Sequence, residues 1–123
     1  MYQITIETHF SSAHRLRQYD GECERLHGHN WKVLIYVSSE VLNDLGMVMD
    51  FKDLKGKVKP LIGNLDHQYL NEIPPFTEIN PTTENMAKYL FDEFSKVINT
   101  DLIKVTNVEI WESSTCFASY TQS

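Results

Sequence analysis

The first ten residues alternate between apolar and polar side chains, which is the period of a strand with one buried face. This alternation predicts a strand over residues 2–10. A second strand is predicted over residues 29–39, where β-branched and aromatic side chains are frequent. The same features predict two further strands, over residues 105–112 and 117–121.

Helical spacing of apolar residues occurs between the two pairs of strands. Asp50 is a suitable N-cap for a helix over residues 52–62. Between Pro81 and Asn99 apolar residues recur every three or four positions, which predicts a second helix capped by Asn80 or Thr82. The order ββααββ predicts an α+β fold, with a four-stranded antiparallel sheet and two helices on one face. Such a sheet leaves its edges exposed, so we expect oligomerisation.

Length and composition fit a single domain over residues 1–123. The apolar runs are far shorter than the about 20 residues of a membrane-spanning helix. The first residues lack the basic start and apolar block of a signal peptide, so we expect a cytoplasmic protein. A net charge of −6 disfavours nucleic acids and anionic membranes as partners. An anionic small substrate stays open if cations cluster locally.

Three of the five histidines are candidates for a metal site. His27 and His29 are two positions apart at the start of a predicted strand, so their side chains share one face. His14 follows the first strand, and hairpin pairing would bring it to the same point. Three neutral imidazoles leave one tetrahedral position open, as in catalytic zinc sites. Separate surface or capping histidines are the alternative, which the His-Gly-His sequence makes less favourable.

Cys23 lies four positions before His27, and the spacing leaves its role open. Its thiolate could be a fourth zinc ligand, which would make the site structural. It could instead stand beside the ion as a base or nucleophile with a lowered pKa. A thiol that is merely buried is the third interpretation.

Two acidic residues are further candidates for the site: Asp66, after the first predicted helix, and Glu112, at the end of the third predicted strand. Asp66 beside His67 could form a proton relay, because a carboxylate fixes the tautomer of an imidazole and raises its basicity. A histidine that simply interacts with a helix C-terminus is the alternative. Glu112 either binds the donor-rich edge of a ligand or turns back to solvent.

A small basic cluster flanks the histidines in this otherwise acidic chain. Arg15, Arg17, Arg25 and Lys32 are all near them in sequence. Together they could receive an anionic group such as phosphate. A solvated charged loop is the alternative.

Taken in order, these residues resemble the 6-pyruvoyl-tetrahydropterin synthase family over essentially the whole chain. The resemblance rests on seven segments: Ser12-Ala13-His14-Arg15-Leu16, Cys23-Glu24-Arg25-Leu26-His27-Gly28-His29, Met49-Asp50-Phe51, Leu65-Asp66-His67, Leu70-Asn71, Pro81-Thr82-Thr83-Glu84-Asn85 and Glu112. The three-residue spacer between Cys23 and His27 favours the carboxy-forming branch, which serves queuosine biosynthesis. Pro81 favours the same branch, since the biopterin-forming branch typically has Ser there.

The resemblance implies a zinc-dependent lyase. That branch converts 7,8-dihydroneopterin triphosphate to 6-carboxy-5,6,7,8-tetrahydropterin, acetaldehyde and triphosphate. One zinc ion per subunit would be held by His14, His27 and His29. Cys23 would be the catalytic thiol rather than a ligand.

The remaining implied roles concern the substrate and the assembly. Asp66 and His67 would form a proton relay that reaches the site from a neighbouring subunit. Glu112 would anchor the pterin ring, and we assign Arg15 to the triphosphate. The implied tunnelling fold forms twelve-stranded barrels as trimers, which stack into hexamers.

Two other functions stay open beside this lyase. One is 6-pyruvoyl-tetrahydropterin synthesis, which eliminates triphosphate without releasing acetaldehyde. The other is a pterin- or zinc-binding module without turnover. The presence of Cys23, Asp66 and His67 argues against a pure binding module, which would need only a pocket and Glu112.

Overall fold

The computed structural model describes residues 1–17 and 26–122. Four strands form one antiparallel sheet: β1 Tyr2–His14, β2 His27–Ser39, β3 Ile103–Trp111 and β4 Phe117–Thr121. Two helices follow the first hairpin: α1 Phe51–Gly63 and α2 Thr83–Ile98. A short 3₁₀ helix, Leu70–Glu72, lies between them. The predicted α+β fold and its ββααββ order are therefore confirmed.

The β1–β2 hairpin is longer than the hydrophobic pattern indicates. β1 runs to His14 rather than to residue 10, and β2 begins at His27 rather than at residue 29. In the added rungs His14 lies opposite His27, and Ser12 lies opposite His29. Backbone pairing continues through these polar positions because the ladder uses N–H and C=O groups that every residue here carries.

The core lies between one face of the sheet and the two helices. Along β1 and β2, alternate side chains point to this core. Phe10 lies opposite Trp31 across the hairpin, and Ile6 lies opposite Ile35. Each helix contributes an apolar stripe at helical spacing. The buried helix residues are Leu54, Val58 and Ile62 on α1, and Met86, Ala87, Leu90, Phe91, Phe94 and Ile98 on α2.

Side-chain caps begin both helices. Asp50 accepts a hydrogen bond from the Lys52 N–H at 2.8 Å, as predicted. At α2 the cap is Thr82, whose hydroxyl oxygen accepts from the Asn85 N–H at 3.1 Å. Asn80 contributes its carbonyl, which accepts from the Asn85 side chain at 2.8 Å. Across the described residues, none of the helices is long and apolar enough to cross a membrane.

The opposite face of the sheet carries a polar and aromatic network. The Glu109 carboxylate accepts from the Tyr36 hydroxyl at 2.7 Å and from the Trp111 indole N–H at 2.9 Å. The hydrogen bond to Glu109 raises the pKa of Tyr36 to about 12. The Lys32 ammonium lies 4.3 Å from the Trp111 ring, and Phe117 stacks on that ring. Glu109 therefore links the polar and aromatic side chains of this face, which is separate from the core.

Candidate metal centre and active site

Three imidazoles converge at the open end of the β1–β2 hairpin. His14, His27 and His29 each offer one nitrogen, and these atoms all lie within 4.8 Å of one another. The Nε2 atoms of His14 and His27 are 3.1 Å apart. Nitrogen ligands of tetrahedral zinc, at about 2.0–2.1 Å from the metal, lie about 3.3 Å from each other. The predicted convergence of the three histidines is confirmed, and the His14–His27 distance is close to this ligand spacing.

A backbone carbonyl selects the tautomer of His14. The ring is buried, and its Nδ1 lies 2.8 Å from the Pro81 carbonyl oxygen. A carbonyl only accepts hydrogen bonds, so Nδ1 carries the proton and donates it. In the neutral ring the Nε2 lone pair is then directed at the cluster. Metal-binding histidines are typically oriented in this way by a partner on their other nitrogen.

Burial also favours the neutral form of His14 and His29. Desolvation lowers the pKa of His14; the hydrogen bond to Pro81 opposes this, and the nearby His27 and His29 lower the pKa further. Desolvation lowers the pKa of His29 as well, and the Glu112 carboxylate offsets part of the change. Neutral imidazole is the form that binds a metal ion.

Arg17 holds the loop that leads to Pro81. Its guanidinium donates to the carbonyls of Asn71 at 3.2 Å, Phe76 at 2.6 Å and Ile79 at 3.1 Å. Three of its five N–H donors are therefore bound to backbone acceptors, so Arg17 is a poorer candidate for the predicted anion contact.

Two asparagine amides join the same loop to the chain after His14. Asn80 accepts from the Arg17 N–H at 2.8 Å and donates to the Arg17 carbonyl at 3.0 Å. Asn71 makes the same pair of bonds with the Arg15 backbone, both at 3.0 Å. The Arg15 side chain is exposed, so it stays a candidate for an anionic ligand. The predicted catalytic Cys23 lies outside the described residues, as does Arg25.

Asp66 and His67 form a contact that their adjacency alone did not establish. The His67 Nδ1 lies 3.0 Å from the Asp66 Oδ2. His67 has a φ of 57°, a left-handed conformation that is uncommon for a residue with a Cβ. The Ser11 backbone anchors the pair, since its N–H donates to Asp66 Oδ1 at 2.8 Å and its carbonyl accepts from the His67 N–H at 2.6 Å.

The Asp66–His67 pair lies along the outer edge of β1. The backbone after it continues this pairing, because the Ala13 N–H donates to the Gln68 carbonyl at 2.9 Å. The His67 side chain is 83% exposed. It lines an open cleft of about 470 Å³ together with His29. The pair is thus near the metal centre but directed outward.

Glu112 lies at the margin of the imidazole cluster, just after β3. Its Oε1 is 3.3 Å from the His29 Nε2. Glu112 also lines a pocket of about 140 Å³ with Glu84, Thr83 and Cys116, among others. Glu84 is not among the residues predicted for the site, because an acidic residue in the first turn of a helix is ordinarily explained by the helix dipole. Its presence in the segment Pro81–Asn85, which carries the family resemblance, was the available signal.

We predict that His27→Ala removes one of three metal ligands and lowers the affinity for Zn²⁺ by more than about 100-fold. Loss of a residue that only hydrogen-bonds to a ligand typically costs about 10- to 100-fold, and loss of the ligand itself should cost more. Chelator competition on the metal-free protein measures this affinity. His9→Ala is the matched control, since His9 is exposed and pairs with Glu7 at 3.0 Å. Equal affinities for the two variants would contradict the assignment.

Comparisons with known proteins identify the family to which the chain belongs. Residues 3–123 match the sequence profile of the family described as 6-pyruvoyl tetrahydropterin synthase. The chain is 38% identical to 6-carboxy-5,6,7,8-tetrahydropterin synthase of Synechocystis, with 98% of this chain and 93% of the relative covered. It is 32% identical to human 6-pyruvoyl tetrahydrobiopterin synthase, with 96% and 90% covered.

A solved structure gives the same result for the fold. The 6-pyruvoyl tetrahydropterin synthase of Caenorhabditis elegans superposes with a TM-score of 0.83 at 28% identity. The superposition covers 100% of this chain and 98% of that one. The family profile spans residues 3–123, which include the three histidines, and the superposition covers the same part of the chain. The chain therefore belongs to the 6-pyruvoyl tetrahydropterin synthase family.

Proposed function

We propose that the protein is a zinc-dependent lyase of queuosine biosynthesis. It would convert 7,8-dihydroneopterin triphosphate to 6-carboxy-5,6,7,8-tetrahydropterin, acetaldehyde and triphosphate. The observation that carries this proposal is the convergence of His14, His27 and His29 beside a pocket with two carboxylates. The Synechocystis relative bears the name of this synthase. The proposal treats residues 1–123 as one domain, in keeping with the one core cluster formed by residues that the structure describes.

His14, His27 and His29 would hold the metal. Three neutral imidazoles with an open fourth position suit catalytic zinc. Once bound, the ion supplies a Lewis acid for negative charge that develops on the substrate side chain. The hydrogen bond from His14 to Pro81 keeps one ligand in the required tautomer without any rearrangement.

Glu112 and Glu84 would orient the pterin ring. Carboxylate oxygens accept paired hydrogen bonds from the N–H groups of an aminopyrimidine edge. Their pocket of about 140 Å³ is smaller than the about 300–1,000 Å³ of pockets that enclose a whole ligand. It would therefore hold one edge of the ring, with the rest of the site formed by other elements.

Asp66 and His67 would hold and move a proton. The hydrogen bond from the Ser11 N–H lowers the pKa of Asp66, and His67 lowers it further, so the carboxylate is ionised at neutral pH. It accepts from His67 Nδ1, which leaves the other ring nitrogen to exchange a proton with substrate. We assign the complementary proton transfer to the Cys23 thiolate and a triphosphate contact to Arg15.

We propose that the site is completed by a neighbouring copy of the chain. The His67 ring is exposed and directed outward at the edge of the sheet, which suits a group that serves another subunit. β1 and β4 are the outer strands of the sheet, and the pairing after Asp66 covers β1 only near Ser11–Ala13. The remaining edges support assembly into trimeric barrels, and two trimers would form a hexamer. A cytoplasmic location belongs to the proposal. It is supported by the exposed free thiol of Cys116, which suits a reducing compartment.

A second candidate reaction is the formation of 6-pyruvoyl-tetrahydropterin, which releases triphosphate and no acetaldehyde. The similarity to the human synthase favours it. The two reactions share a substrate and differ in their products, so product analysis separates them.

Incubation of the zinc-loaded protein with 7,8-dihydroneopterin triphosphate tests the proposed reaction. Mass spectrometry should detect 6-carboxy-5,6,7,8-tetrahydropterin, and a coupled assay should detect one acetaldehyde for each carboxypterin. A pyruvoyl product without acetaldehyde would support the second reaction. Absence of turnover would contradict both and favour a binding module.

Mixed oligomers test whether the site is shared between subunits. Cys23→Ala and His67→Ala should each be inactive alone. Co-assembled in equal amounts, they should recover about one quarter of the parent activity, since random pairing unites an intact thiol with an intact relay at that frequency. Mixing the two variants without subunit exchange is the control. No recovery in verified mixed oligomers would contradict a shared site.

A further inference from the structure

Trp31 is the large residue that separates the imidazole cluster from the apolar core. It is completely buried, at 0% exposure. Its ring centroid lies 5.0 Å from that of His14, with the planes at 87°, and 5.1 Å from that of His29, with the planes at 46°. Phe10 stacks on the indole at 5.1 Å. One side chain thus packs against two of the three candidate ligands.

We propose that Trp31 is a positioning residue of the metal centre, whose indole fixes the orientation of the His14 and His29 rings. This inference rests on the metal centre of the proposed function. The hydrogen bond to Pro81 selects the tautomer of His14, whereas the direction of its ring also depends on what packs beside it. For His29 the indole supplies that packing, next to the polar contact with Glu112.

The indole N–H supports a role in packing rather than in hydrogen bonding. Within residues 1–17 and 26–122 the Nε1 atom of Trp31 is buried and has no hydrogen-bond partner. A buried donor without an acceptor is unfavourable. A phenyl ring at this position would fill part of the same space without that cost. Tryptophan differs from phenylalanine here by the larger surface that its indole presents to His14 and His29.

The second tryptophan provides a matched comparison. Trp111 lies on the opposite face of the sheet, where it stacks on Phe117 at 4.0 Å. Its N–H donates to Glu109 at 2.9 Å, so its hydrogen bonding is satisfied. The same substitution at the two tryptophans therefore changes one aromatic residue beside the imidazoles and one away from them.

Cobalt binding to the metal-free protein tests the proposal without substrate. The visible d–d absorption of bound Co²⁺ depends on ligand geometry, which a general loss of stability does not change. Trp31→Phe should alter the position or intensity of these bands and weaken Co²⁺ binding by about tenfold, as for other supporting residues. Trp111→Phe should keep the parent spectrum and an affinity within about twofold of the parent.

A core truncation separates positioning from stability. Ile35 is buried on the same face of β2, four positions from Trp31. Ile35→Ala should lower the melting temperature while keeping the parent Co²⁺ spectrum. If Trp31→Phe keeps both the parent bands and the parent affinity, the proposal is overturned. A parent protein without Co²⁺ bands would instead refute the metal centre itself, and the inference with it.

Fluorescence keeps the proposal testable if Trp31→Phe fails to fold. In Trp111→Phe the only tryptophan is Trp31, so emission reports on the intact site. Co²⁺ should quench this emission with the same midpoint as the appearance of the d–d bands. Emission that stays constant while the bands saturate would show that the indole does not pack against the occupied centre, and would overturn the proposal.

Discussion

The antiparallel register between β1 and β2 is the constraint on which the metal centre depends. It sets His14 opposite His27 and Ser12 opposite His29, so all three imidazoles leave the same face of one hairpin end. A shift of one residue would turn one strand's side chains to the other face and separate the ligands. The apolar pairs farther along the hairpin, such as Phe10 with Trp31, hold this register by burial.

Contacts between residues distant in sequence orient the histidines that the register brings together. The carbonyl that orients His14 belongs to Pro81, which is 67 positions away in the chain. Arg17 and Asn80 hold the loop before Pro81 through backbone hydrogen bonds. In the sequence, Arg17 looks like a surface charge and Asn80 like a turn residue. By holding this loop, they place the Pro81 carbonyl that selects the tautomer of His14.

The sequence predicted the elements from their periodicity. It predicted the three histidines from the His-Gly-His spacing and from the hairpin pairing that brings His14 to the same point. It placed the end of β1 too early, since Ser11 to His14 break the hydrophobic pattern although their backbone still pairs. It could not establish the contact between Asp66 and His67, which depends on the left-handed backbone at His67. Glu84 was missed for a related reason: its partner in the pocket, Glu112, comes from a distant strand.

X-ray absorption spectroscopy of the zinc-loaded protein tests the central claim most directly, because it counts the atoms bound to the metal. The account predicts three imidazole nitrogens at about 2.0–2.1 Å, with an oxygen or nitrogen as the only further ligand. It predicts no sulfur scatterer, since Cys23 is assigned to proton transfer. A sulfur at about 2.3 Å would identify a closed structural site instead and contradict the catalytic assignment.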